Sequence, residues 1–192
     1  VPAATLLVGN INATRPGPTE TPGVAASFTA AVPAGYALSG RALITASELA
    51  ADWTGDLGLI SQRGLYNRLL GELERDGVDQ AGLQVMHGGR TWQLVNTAAS
   101  LPSSADAKRL FAMFFKLMGR KVAVSVPGAE VVSASTFGKG ELQQFDLDVY
   151  AKGRWNQFYC WAPYASSTGK TTIAGCQNAA VAAAKAWVAG LA

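Results

Sequence analysis

The spacing of apolar positions changes several times along the chain, and each change predicts an element. Between 59 and 76, Leu65, Leu69 and Leu73 recur at helical spacing with Tyr66 and Leu70 beside them, and Gly77 follows where a C-terminal cap belongs. The spacing predicts a helix over 59–76. Its interior glycines, Gly64 and Gly71, share one face, and each costs about 1 kcal/mol against alanine, which points to a close backbone approach there. A second helix is expected over 104–118, opened by Ser103 with Asp106 three residues on and closed by Gly119. The Ala-rich stretch 171–190 predicts a third, with Ile173, Cys176, Ala180, Ala184, Trp187 and Leu191 on one stripe.

Strand signals dominate elsewhere. Leu83–Met86 and Thr91–Val95 flank His87-Gly88-Gly89-Arg90, a hairpin signal. After the second helix come 122–126, 130–137, 141–151 and 154–162, separated by Pro127-Gly128, Gly138-Lys139-Gly140 and Gly153. Four strands joined by short turns predict an antiparallel meander over 122–162. The first 57 residues read less regularly. Residues 3–14 suggest a strand, 15–23 form a Pro-rich irregular segment, and 24–45 hold two strands split by Pro33-Ala34-Gly35. Residues 46–57 fit a short helix capped by Ser47. The order of elements predicts a single α+β domain over 1–192, with a mainly antiparallel sheet and helices on one face.

Composition narrows the class. Of 192 residues 49% are hydrophobic and 15% charged, a balance that argues against disorder, a coiled coil or a nucleic-acid-coating protein. The net charge of +3 is uneven, because residues 101–192 hold ten Lys or Arg against five acids. Within 171–190, Thr171, Thr172, Gln177, Asn178 and Lys185 interrupt the apolar run, so a transmembrane segment is not expected. The sequence starts at Val1 with no leader pattern, which reads as a processed or trimmed N-terminus. Cys160 and Cys176 stand alone, with neither a Cys-x-x-Cys motif nor a nearby histidine. A disulfide between them is their best use, and it implies an extracytoplasmic location, periplasmic or secreted.

Candidate chemistry is sparse. Gly169-Lys170-Thr171 ends like a phosphate-binding loop, but the position that should hold the first glycine is Tyr164, and no strand follows the final helix. Nucleotide binding is therefore not expected. His87 is the only histidine, so a histidine-rich metal centre is excluded, and no metal or cofactor is expected. Asp146 and Asp148 lie two apart on one strand and point to the same side, a spacing that a hydrolase might use. Alternation puts Asn156, Phe158 and Cys160 on one face of the last strand and Trp155, Gln157, Tyr159 and Trp161 on the other. On the preceding strand Gln144, Asp146, Asp148 and Tyr150 share a side. The aromatic side is either a contact surface for a glycan or protein or, if another layer such as 1–45 covers it, ordinary core. Lys108, Arg109, Lys116, Arg120 and Lys121 cluster in sequence and offer a weaker contact for an anionic surface. Asn12-Ala13-Thr14 matches a glycosylation acceptor. Nucleic-acid binding is not expected, because no aromatics interleave with the charges.

The leading expectation is a secreted or periplasmic protein that binds an envelope component, glycan or protein without catalysis. Its expected contacts are Trp155, Tyr159, Trp161 and Tyr150 with Asp146 and Asp148. The alternatives are an extracytoplasmic hydrolase using His87 or the Asp146/Asp148 pair, and a structural subunit of an envelope assembly.

Overall fold

A computed structural model describes residues 30–54, 60–88, 92–115, 120–137, 144–161 and 173–191. Among these described residues seven strands form one antiparallel sheet, accompanied by four helices. In chain order these are β1 (Tyr36–Thr45), α1 (Ala46–Thr54), α2 (Ile60–Arg75), β2 (Gln80–Gly88), β3 (Trp92–Ser100), α3 (Ser104–Phe115), β4 (Arg120–Lys121), β5 (Val131–Phe137), β6 (Gln144–Ala151), β7 (Arg154–Trp161) and α4 (Ile173–Gly190). The spatial order is β1-β2-β3-β7-β6-β5-β4. The expected α+β class with a mainly antiparallel sheet is what the chain adopts.

Local chemistry sets the element ends. Thr45, not Ser47, caps α1: its hydroxyl accepts the Glu48 amide at 3.2 Å while the Glu48 carboxylate accepts the Thr45 amide at 2.8 Å. This is a reciprocal capping box. At the end of α2 the amides of Gly77 and Val78 donate to the carbonyls of Glu74 and Leu73 at 3.0 and 2.9 Å. Gly77 takes φ 72°, the left-handed turn that such a cap requires. Ser103 caps α3 as the sequence indicates, accepting the Asp106 amide at 3.2 Å. Between β6 and β7, Lys152 and Gly153 both have positive φ, 51° and 76°, the two-residue turn whose twist matches paired strands.

The helices occupy both faces of the sheet rather than one. Leu49 and Ala50 of α1, Leu69 and Leu73 of α2, and Ala107, Leu110 and Phe111 of α3 pack with Ile44, Leu83, Val85, Val95, Tyr150, Trp155 and Tyr159. On the opposite face α4 lays Cys176, Ala180, Ala183, Ala184 and Trp187 against a cluster containing Phe145, Leu147, Val149, Phe158 and Cys160. The small residues on α4 let its axis approach the strands closely. The Cys160–Cys176 disulfide forms across this contact, with 6.0 Å between Cα atoms and the cysteines 16 positions apart in sequence. A loop of that length contributes about 3 kcal/mol on the chain-entropy view.

Three local expectations change. The 122–126 run does not extend the meander as a strand: β4 is only Arg120–Lys121, followed by one further bond from the Val122 amide to Ala134 O. Val122, Val124 and Val126 instead pack with the α4 cluster, so their apolar character goes into side-chain burial and not into a ladder. Gly64 and Gly71 are exposed, and a Cβ on either would meet nothing within 4 Å. Among the described residues nothing makes the close approach expected there, and Leu65, Leu69 and Leu73 carry the packed side of α2. In β1 the register shifts between Leu38 and Gly40. One extra residue, Ser39, turns Tyr36 and Leu38 toward the α4 side while Ala42 and Ile44 face α1 and α2.

Segments 3–14 and 15–23, the Asn12-Ala13-Thr14 triplet and the Gly169-Lys170-Thr171 stretch lie outside the described residues. Among the described residues no helix is long and apolar enough to cross a membrane.

Candidate functional site

Alternation along β6 and β7 gathers the sequence-selected residues on the face toward α3. Gln144, Asp146, Asp148 and Tyr150 project there from β6, and Trp155, Gln157 and Tyr159 from β7. They meet as a ladder of diagonal hydrogen bonds. Trp155 Nε1 donates to Asp148 Oδ1 at 2.9 Å, Gln157 Nε2 to Asp146 Oδ1 at 2.9 Å, and Tyr159 OH to Gln144 Oε1 at 2.6 Å. Each β7 donor reaches past its direct partner to the acceptor one step along. Ser133 and Ser135 of β5 stand opposite Asp148 and Asp146, which widens the polar band to three strands.

This band is interior. Trp155 is 0% exposed, Tyr150 3% and Tyr159 9%, and both aspartates are buried. Of the two readings of these three rings, an open contact surface is therefore not what they form; they are ordinary core, in one cluster with Leu110 and Phe111 of α3. Tyr150 OH also donates to Leu101 O at 3.4 Å. Trp161 ends β7, and its side chain lies outside the described residues.

Electrostatics follow from the burial. Loss of hydration raises the Asp146 carboxyl, with hydrogen bonds from Asp148 and Gln157 opposing the rise. Burial also pushes Asp148 well above the ordinary carboxylate range, and the Asp146 charge adds to it. Burial therefore disfavours ionisation of both adjoining carboxyls, and a charge on Asp146 makes ionisation of Asp148 costlier still. Among the described residues no group of three or more His, Cys, Asp or Glu is placed to hold a metal ion. N–H donors already point at one oxygen of each aspartate, the opposite of what a cation site needs.

The remaining selected residues are scattered. His87 is exposed near the end of β2. Its strand is separated from β6 by β3 and β7, three ladder spacings or about 14 Å. His87 and the aspartates do not form one catalytic group. Lys108 is exposed on α3, and Arg120 and Lys121 are exposed on β4, while Lys116 lies outside the described residues. Arg109 is not available to an anionic surface, because its guanidinium pairs with Glu72 at 2.8 Å, Asp76 at 2.6 Å and Asp106 at 2.8 Å. This network joins α2 to α3 and includes a pair between Arg75 and Glu72. Burial opposes ionisation of Glu72, yet hydrogen bonds from Arg109 and Arg75 hold its carboxyl below the usual range. The signal that could have found the network is the spacing of Asp106 and Arg109 on one helix and of Glu72, Arg75 and Asp76 on another.

Comparison with protein-family models, with curated proteins and with solved structures finds no match for this chain. Among the described residues the two rims of the sheet contrast. At one end β4 has two residues, both basic and exposed. At the other β1 runs for ten residues with a single charge, Arg41, and no proline.

Proposed function

We propose that this chain is an extracytoplasmic protein that works by binding another polypeptide of its surroundings and not by catalysis. The observation that carries the reading is the closed chemistry of the carboxyl band. Asp146 and Asp148, the pair best spaced for hydrolysis, are buried under α3 and engaged by Gln157, Trp155 and each other. A general acid or a nucleophile needs a substrate within hydrogen-bond reach, and these groups are directed at neighbouring strands. The Cys160–Cys176 bond supports an oxidising compartment. Because helices lie against both sheet faces, recognition falls to the outer surface and the rims. An assembly subunit would use the same surfaces, so that alternative differs in the permanence of the contact and not in its chemistry.

Photo-reactive residues placed at Ala37, Lys108, Lys121 and Lys185, all exposed, test the reading in the cells that make the protein. A discrete protein adduct from at least one position is expected. No adduct from any of the four overturns the reading. Thiol labelling of protein taken directly from cells, under denaturing and non-reducing conditions, tests the compartment; two reactive thiols would remove it.

A further inference from the structure

Asp146 and Asp148 are buried two positions apart on β6, and their carboxyls hydrogen-bond to each other as well as to Gln157 and Trp155. A bond between two carboxyls needs a proton on one of them. Among the described residues the groups facing the pair include no cation. Ser133 and Ser135 stand opposite it on β5, Gln157 and Tyr159 stand opposite it on β7 with Trp155 alongside, and Gln144 and Tyr150 flank it on β6. From α3, which lies against β5 and β6, the same face receives Ala107, Leu110 and Phe111. The charged residues of α3 are engaged elsewhere or exposed: Asp106 and Arg109 belong to the network with Glu72 and Asp76, and Lys108 faces solvent. Lys121, beyond Ser135 in the Asp146 row, is exposed as well. Helix α4 packs on the other face of the sheet.

Ionisation of both carboxyls therefore calls for water, and the two layers around β6 are not equally fixed. Toward α4 the sheet is closed by the Cys160–Cys176 bond. Toward α3 it is closed by side-chain packing, with Arg109 tying that helix sideways to α2. Helix α3 has 12 residues, a length that is marginal for a helix alone in water, so a lifted α3 loses its order. We propose that the Asp146–Asp148 pair is a pH-sensitive latch for α3: a proton shared by the two carboxyls keeps the helix seated on β5 and β6, and loss of that proton lets water in beneath it. The released proton goes to solvent and leaves two hydrated carboxylates. The sign follows from burial. A carboxyl at about 6 when closed, as for Asp146, and at about 3.9 when hydrated favours the seated helix in acid. It favours opening by up to about a hundredfold as pH rises through that interval. Opening also gives water access to Tyr150, Trp155 and Tyr159. The device goes beyond the binding reading and stands or falls without it.

Amide hydrogen exchange of the full chain, measured from about pH 4.5 to about pH 7.5 with the intrinsic pH dependence divided out, tests the latch. The amides of 108–113 are expected to show an opening constant at least tenfold larger at the upper pH than at the lower. At the upper pH that opening should be insensitive to dilute urea, the mark of a local event, whereas the amides of β3 should open only with urea-sensitive global unfolding. The double variant Asp146→Asn with Asp148→Asn keeps acceptors for Gln157 and Trp155 and removes both ionisations. Its α3 opening constant should agree within about twofold across the same range. A wild-type opening constant that does not change with pH overturns the proposal. So does α3 exchange with the same urea dependence as β3 at every pH, because the helix then leaves only with the whole fold. A double variant that folds and keeps the wild-type response assigns the titration to another group and overturns it too. If the double variant does not fold, the wild-type series decides by itself.

Discussion

Strands β6 and β7 turn two unlike faces to the interior, although every residue on them shares one backbone ladder. Toward α4 they offer Phe145, Leu147, Val149, Phe158 and Cys160, closed by a disulfide, with one buried amide among them, Asn156, whose Oδ1 accepts from Asn96 Nδ2. Toward α3 they offer Gln144, Asp146, Asp148, Gln157, Trp155 and Tyr159, all buried and joined by directed hydrogen bonds. The first face coheres by burial, which depends on volume and tolerates small shifts of angle. The second coheres by donor and acceptor pairing, where one lost partner leaves a polar group in a dry interior. The two faces should therefore fail differently, and mutation can measure the difference.

The largest effect is expected on the apolar face. Phe158 is fully buried, and Phe158→Ala should cost about 3–5 kcal/mol in urea unfolding through lost transfer energy and the cavity left behind. A loss under 1 kcal/mol would mean that α4 collapses onto the gap and that the face is not packed as described. Replacing both cysteines, Cys160→Ala with Cys176→Ala, should cost about 3 kcal/mol, chiefly by releasing the unfolded chain. Reduction of the wild type should reproduce that loss, and a double variant as stable as the oxidised protein would show that packing alone holds α4.

Much of this contrast was legible in the sequence, because strand alternation is local. The division of Cys160 and Phe158 from Trp155 and Tyr159 follows from period two, and the Cys160–Cys176 bond and the small-residue stripe of α4 follow from spacing. Helix ends were legible where a side chain or a glycine makes the cap, at Ser103 and Gly77. The layer that covers the polar face was not, since it depends on α3 returning over β5 and β6, a non-local contact that no window of sequence contains. The same limit hid the placing of β7 beside β3. Gly64 and Gly71 misled for a related reason: a glycine marks a possible close approach, but the neighbour must come from elsewhere, and none of the described residues supplies it. The band itself was visible as residues and invisible as an interior.

A smaller loss is expected on the polar face. Tyr159→Phe removes the donor to Gln144 Oε1 while preserving the ring, and should cost about 1–2 kcal/mol, the penalty of one buried hydrogen bond. Phe158→Tyr on the other face adds a hydroxyl to an apolar cluster, so its cost would come from burying an oxygen with no partner. If Tyr159→Phe is neutral, the ladder contributes geometry without stability, and the two faces are more alike than their chemistry suggests.

The smallest effect is the most specific, because only the polar face titrates. Asp146 and Asp148 have folded values above the unfolded aspartate value of about 3.9, reaching about 6 for Asp146. A group raised on folding contributes stability that is fully present below its unfolded value and is lost as pH rises through its folded value. The pair should therefore make the protein less stable as pH climbs from 4 toward and beyond 6. Glu72 and Asp106 are lowered, so their contribution is fully present above their unfolded values of about 4 and declines as pH falls through them, which touches only the acid end of this window. Urea midpoints measured from pH 4 to pH 7 should decline for the wild type. Asp148→Asn keeps an acceptor for Trp155 Nε1 and removes one ionisation, so its midpoints should decline less. Phe158→Ala, on the face with no titrating group, should lower every midpoint and leave the slope with pH as in the wild type. A wild-type midpoint that rises across the window would mean that both carboxyls ionise without penalty, and the polar face would then be hydrated, unlike its neighbour.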